Sequence, residues 1–180
     1  MTSNRRGDWM ITSTNGQYWP LDPRPEDVCI ADIAAGLSKL CRFAGQCSRF
    51  YSVAEHSVLV SYEVPDHLAL QALMHDATEA YVVDVPRPLK RGLGAAYADI
   101  EELNWLAIAD AFGLQHQMHP FVKCADDAVL LAEREQLFTP GGPRWTLPGT
   151  AANCQIVGYS PMLAQKMFLE RWVDLTRGVW

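Results

Sequence analysis

Within five consecutive residues, His75-Asp76-Ala77-Thr78-Glu79, the chain sets an imidazole beside a carboxylate and adds a second carboxylate. His75 and Asp76 can give one nitrogen and one oxygen to the same divalent ion. On a helix Glu79, four residues past His75 and three past Asp76, shares their face. A core-facing helix has no ordinary need for three polar groups on one side. With His56 upstream and Asp126 downstream, His56, His75, Asp76 and Asp126 form a set of two imidazoles and two carboxylates. That set suits Mn2+, Fe2+, Co2+, Ni2+ or Zn2+ and leaves positions for water and a substrate oxygen. The pattern points to metal-dependent hydrolysis.

Asp126 and Asp127 compete for the fourth place. Val122, Asp126 and Val129 share a helix face, which turns Asp126 inward and leaves Asp127 toward another face. Glu79, one turn from both ligands on its segment, is placed to hold the attacking water. Asp84 follows the same helix and can exchange a proton with that water or with the leaving oxygen. Phosphate needs cations, and Arg42, Arg87, Lys90 and Arg91 are the candidates. Arg42 can grip a phosphate bidentately, Lys90 acts as a point charge, and Arg87 and Arg91 read as surface charge. Trp19, between Tyr18 and Pro20, either stacks on a base or covers the core.

The elements that must position these groups are helical. Residues 1–31 are rich in turn residues, with a short hairpin around Asn15-Gly16. Helical spacing begins near Asp32 with Ile33, Leu37 and Leu40, and Gly45 closes that stretch. Ser52-Val53-Ala54-Glu55 is a capping-box pattern that starts a helix carrying His56. Residues 67–82 read as one helix holding His75, Asp76 and Glu79. Pro86 and Pro88 argue against regular helix over 83–92. Helices are expected from about 95 to 112, ending at Gly113, and from Pro120 to about Leu137. Residues 139–159 read as loop. A last helix over 160–178 has Ser160 as N-cap, Pro161 in its first turn and Gly178 past its end. The expectation is one all-α domain: a loop-rich segment 1–31, a core 32–138, a loop 139–159 and a C-terminal helix.

The chain has 180 residues, of which 49% are hydrophobic and 20% charged, a globular composition with enough length for a sizeable core. Its formal charge of −6 argues against a general grip on long nucleic acid, while leaving room for a local phosphate site. Cys29, Cys41, Cys47, Cys124 and Cys154 are odd in number and include no CxxC pair. Reduced, buried thiols in a cytoplasm fit better than disulfides or a zinc clamp at Cys41 and Cys47. No run of about 18 apolar residues is present to cross a membrane.

The order His56, His75-Asp76, Asp126 resembles the signature of HD-domain phosphohydrolases, across roughly residues 40–135. Five blocks bring it nearer to the bacterial HD-domain 5′-deoxynucleotidases and the phage-encoded dATP triphosphohydrolases. They are Cys41-Arg42-Phe43, Ala54-Glu55-His56-Ser57, His75 to Glu79, Asp84-Val85-Pro86-Arg87-Pro88-Leu89-Lys90 and Lys123-Cys124-Ala125-Asp126. Two features depart from that pattern. His56 precedes His75 by only 19 residues, and Phe43 follows Arg42 where those enzymes have an Arg-Trp pair. The Gly-Tyr-Pro extension of cyclic-dinucleotide phosphodiesterases is absent.

The resemblance implies an HD helical bundle with His56, His75, Asp76 and Asp126 on a metal. It implies catalytic Glu79 and Asp84, and Arg42 and Lys90 on the phosphate. The expected reaction is dNMP to deoxynucleoside plus phosphate, in the cytoplasm of a bacterium or a phage-infected cell. The alternative is dATP to deoxyadenosine plus triphosphate, with Mg2+ on the polyphosphate. A metal-binding nucleotide sensor is the reading from another class, and an oligonucleotide phosphodiesterase is disfavoured by the acidic balance. Homo-oligomers fit the resemblance and the aromatics Trp172 and Trp180.

Overall fold

The structure, a computed structural model, describes residues 5–143 and 145–177. Gly178 and Trp180, invoked above as a helix end and an oligomer contact, lie outside the described residues. The fold is mostly helical. Its hairpin is small, with β1 (Met10–Ile11) antiparallel to β2 (Gln17–Tyr18) and Asn15 in the left-handed region at φ 65°. The helices are α1 (Ile30–Lys39), α2 (Val53–Tyr62), α3 (Asp66–Met74), α4 (Glu79–Val82), α5 (Arg87–Leu93), α6 (Ala95–Phe112), α7 (Pro120–Leu137) and α8 (Pro161–Thr176).

α1 lies against α8, α4 and α2, while α2 also touches α3, α7 and α8. Their apolar faces form one large cluster that includes Ile33, Leu37, Val53, Leu73, Met74, Ile108 and Phe168. A second cluster joins Val60, Leu68 and Ala72 to Val122 and Val129 of α7. His56 and Asp126 are thus carried on helices whose other faces are fixed by packing. Gly36 of α1 makes the approach to α4 possible: a Cβ there would stand 2.9 Å from the Cβ of Ala80, beside Glu79. Among the described residues no helix is long and apolar enough to cross a membrane.

Several end signals act as expected. Ser52 accepts the Glu55 amide, Ser160 accepts the Leu163 amide, and Gly113 caps α6 at φ 65°. The capping box at Ser52 is only half made, however. The Glu55 carboxylate turns away from its own helix and accepts the amides of Val157, Gly158 and Tyr159 at 2.8–3.0 Å, tying the long loop to α2.

Four other expectations are corrected. The single helix over 67–82 is broken: α3 ends at Met74, residues 75–78 form a turn, and α4 begins at Glu79. The backbone tightens there to i→i+3 hydrogen bonds, Ala77 to Met74 and Glu79 to Asp76. Residues 87–93 are helical despite the prolines, because Pro86 is the N-cap and Pro88 sits in the first turn, where no amide partner is needed. The first helix stops at Lys39 rather than near Gly45, and a short 3-10 turn occupies Arg42–Gly45. The five thiols are free, but none is fully buried, and Cys124 is exposed.

Candidate metal centre

His56 comes from the first turn of α2, His75 and Asp76 from the turn after α3, and Asp126 from the second turn of α7. The His56 and His75 Nε2 atoms are 3.3 Å apart. Asp126 Oδ1 lies 3.3 Å from His56 Nε2, and Asp76 Oδ2 lies 3.1 Å from His75 Nε2 and 3.6 Å from His56 Nε2. Donor atoms of His56, His75 and Asp126 all fall within 4.8 Å of one another. His56 is fully buried and Asp126 nearly so.

The outer nitrogens explain why both rings face inward. His56 Nδ1 donates to Glu133 Oε1 at 2.6 Å, and His75 Nδ1 donates to the Ala72 carbonyl at 2.8 Å. With Nδ1 engaged in this way, each ring turns its Nε2 toward the other. Two Nε2 atoms at that separation need a cation beside them, a proton or a metal ion, and the two compete for the same place. A buried donor set of this kind, with its outer nitrogens already engaged, fits a divalent ion. His56, His75, Asp76 and Asp126 are the residues that would hold it.

Charge is distributed to match. Burial alone opposes ionisation of Asp76 and Asp126, but the facing imidazoles hold both carboxyls well below the usual carboxylate range. Burial and Arg42 push His56 down, yet Glu133 and Asp126 outweigh them and lift it to about 9. Glu133 is itself buried, and Arg42 and His56 keep its carboxyl low. It also accepts Tyr51 Oη at 2.8 Å and Arg42 at 3.2 Å.

Glu133 is the main residue that motif reading missed. Its signal was legible: Val122, Asp126, Val129, Glu133 and Leu137 recur on one buried face of α7, and a glutamate in that series needs a partner.

Beside the cluster opens a cavity of about 690 Å3, lined by Arg42, Asp76, Glu79, Asp84, Arg87, Lys90 and Asp126 among others. Glu79 does not face solvent. It is 6% exposed, and its Oε2 is buried without a hydrogen-bond partner. Burial, with Asp76 and Asp84 nearby, pushes its carboxyl well above the ordinary range. Half-buried Asp84 is likewise raised by burial and by Asp76. The backbone is strained at both flanks, with Val83 at φ 65° and Phe43 and Ala44 at φ 58° and 51°. Such conformations cost about 1–3 kcal/mol each and cluster where function fixes geometry.

The cations differ from their expected roles. Arg42 is buried, and its terminal nitrogens reach Asp76 at 3.4 Å and Glu133 at 3.2 Å. Two carboxylates thus hold Arg42 in the cavity wall. Lys90 lines the cavity while pairing with Glu101 at 2.6 Å. Arg87 is no idle surface charge: it pairs with Asp126 at 3.1 Å and Asp127 at 3.4 Å, and Lys123 contacts the same two carboxylates. Asp127 is therefore buried with Asp126 rather than turned to another face. Trp19 is not brought to the cavity. Its ring lies under the Arg5 guanidinium, 4.4 Å from the centroid.

Fold and site together define a mostly helical protein with a buried histidine–aspartate cluster able to take a metal ion. No family model matches the chain. It is 43% identical over 170 residues to the uncharacterized protein YfdR of Escherichia coli (strain K12), covering 92% of this chain and 95% of that one, and it belongs to the same family. It is also 35% identical over 130 residues to an uncharacterized protein of Rhodobacter capsulatus, covering 65% and 66% of the two chains.

Proposed function

We propose that this chain is an HD-type, divalent-metal-dependent phosphohydrolase that converts deoxynucleoside monophosphates to deoxynucleoside and phosphate. The observation that carries the reading is the meeting of the His56, His75, Asp76 and Asp126 cluster with a cavity lined by both acids and cations. A divalent ion bound there supplies Lewis-acid polarisation of a phosphoryl oxygen and a lowered pKa for water. The protein's own groups do the rest. Arg42 holds a fixed positive charge beside Asp76, and Arg87 and Lys90 exchange their carboxylate partners for substrate oxygens, offsetting charge on the phosphoryl group. Glu79, whose Oε2 is free, orients the attacking water and, in its ionised form, takes its proton. Asp84, in the same cavity and with its carboxyl raised by burial and Asp76, is placed to deliver a proton to the leaving 5′ oxygen as the phosphorus–oxygen bond breaks.

Arg91 also lines the cavity, adding a cation that a longer tail would use. This favours a second reading, dNTP and notably dATP to deoxynucleoside and triphosphate, with Mg2+ on the polyphosphate. Protein loaded with Mn2+ or Co2+ and given a panel of dNMPs and dNTPs should release phosphate in the first case and triphosphate in the second. Release of neither from any nucleotide would sink both. Glu79→Ala should then lose turnover by about 10²–10⁴-fold while retaining metal. A nucleotide sensor would bind nucleotide without turnover and lose little on that change.

A further inference from the structure

The same cavity has an apolar part that the chemistry above does not use. Phe43, Leu130, Trp145 and Leu147 line it together with the charged groups. The Phe43 and Trp145 rings stack at 5.7 Å with 29° between their planes, and Phe138 meets both edge-on at 5.1 and 5.6 Å. Phe43 and Phe138 pack in turn on the buried Tyr51, Leu137 and Ile156. The trio therefore holds a fixed position against the core. Trp145 nevertheless remains 37% exposed, and it belongs to the cavity wall.

The aromatic wall starts close to the reacting end. The Arg42 guanidinium carbon is 5.3 Å from the Phe43 centroid, while Arg42 Nη1 is 3.4 Å from Asp76 Oδ2. A ligand whose phosphate is held near Asp76 and Lys90 therefore has flat aromatic surface within reach of its other end. Flat π surface beside a cationic patch is the pairing that nucleotides satisfy, with the base stacked and the phosphate neutralised.

We propose that Trp145 is the nucleobase-stacking residue of this site and selects substrates that carry a planar base, purines above pyrimidines because of their larger face. The proposal rests on the nucleotide phosphohydrolase reading for the identity of the ligand, and it adds a residue from the loop beyond the helical core.

Two variants and two substrates test it. Stacking on an aromatic side chain is worth about 1–3 kcal/mol per base, so Trp145→Ala should raise KM for dAMP roughly 5- to 150-fold. Hydrolysis of 2-deoxyribose 5-phosphate, which has no base, should be unchanged. Trp145→Phe, which keeps the packing on Phe43 and Phe138, should give a smaller rise for dAMP. A loss equal on both substrates, or an unchanged KM for dAMP, overturns the proposal, because support of the loop alone would give one or the other. Fluorescence separates this failure from failure of the reaction. Quenching by dAMP in the metal-loaded protein that disappears in Trp145→Phe, with no phosphate released, supports the subsite and sinks the hydrolase reading. Phosphate release with no change in KM does the reverse. Absence of both quenching and release overturns both.

Discussion

The α2–α7 side of the site and the α4–α5 side are built on different physical terms. On the α2–α7 side the charged groups of the site engage one another: His56 with Glu133, Glu133 with Tyr51 and Arg42, Asp126 with His56 and Arg87. The helices that carry them are long and packed on both flanks. The α4–α5 side has a four-residue helix, a strained Val83 and a seven-residue helix with no buried residue. Its key atom, Glu79 Oε2, has no partner at all. One side holds its ligands by paired charges on packed helices, as a metal cradle requires. The other is left unsatisfied, as a surface awaiting a ligand would be.

The largest effect should come from removing a ligand on the α2–α7 side. Asp126→Ala should take bound metal, measured by elemental analysis after desalting, to background, and phosphate release with it. It also takes from Arg87 and Lys123 one of their two shared partners, leaving Asp127. Retained metal at full stoichiometry would show that Asp127 or another group can stand in, and the contrast between the two sides would weaken.

Glu133→Gln tests the same side one layer out. The amide cannot accept the His56 proton with the strength of a carboxylate, and the buried Arg42 loses part of its counter-charge. Metal affinity should fall about 10- to 100-fold, with KM for the nucleotide little changed at saturating metal. Arg87→Ala on the opposite side should do the converse. We expect a KM rise of a few-fold that shrinks as salt is added, since Arg87 is half exposed and its pairs are screened. Equal effects of both variants on metal affinity and KM would dissolve the distinction.

Sequence legibility followed the same division. The helices α6, α7 and α8 were readable because Gly113, Pro120, Ser160 and Pro161 mark their ends unambiguously. Asp126 was readable from its apolar neighbours on α7, and the structure brings it to His56 and His75 as the motif order implies. The other side resisted. Two prolines in one segment say helix breaker when their register is unknown, and helix start when it is known. Periodicity cannot reveal the turn at residues 75–78, because the tightening is local and leaves the polar spacing intact. Glu133 and Trp145 escape notice, and Arg87 reads as surface charge, because each acts through a partner distant in the chain.

The smallest effect should be one of stability, and it isolates Glu79. Burial, Asp76 and Asp84 hold its carboxyl above the ordinary value of 4.5. Well below pH 4.5, folded and unfolded states both keep this proton, and the group does not influence the balance. As pH rises, the unfolded chain releases the proton while the buried group resists, so stability falls until the folded value is passed. Glu79→Gln has no proton to lose. In chelator-treated protein its melting temperature should match the wild type at low pH and exceed it by a few degrees in neutral buffer. Adding Mn2+ should narrow the gap, since a cation beside Asp76 removes part of the charge that raises Glu79. A gap independent of pH would mean that Glu79 is not held protonated, and the unsatisfied character of this side would be only geometric.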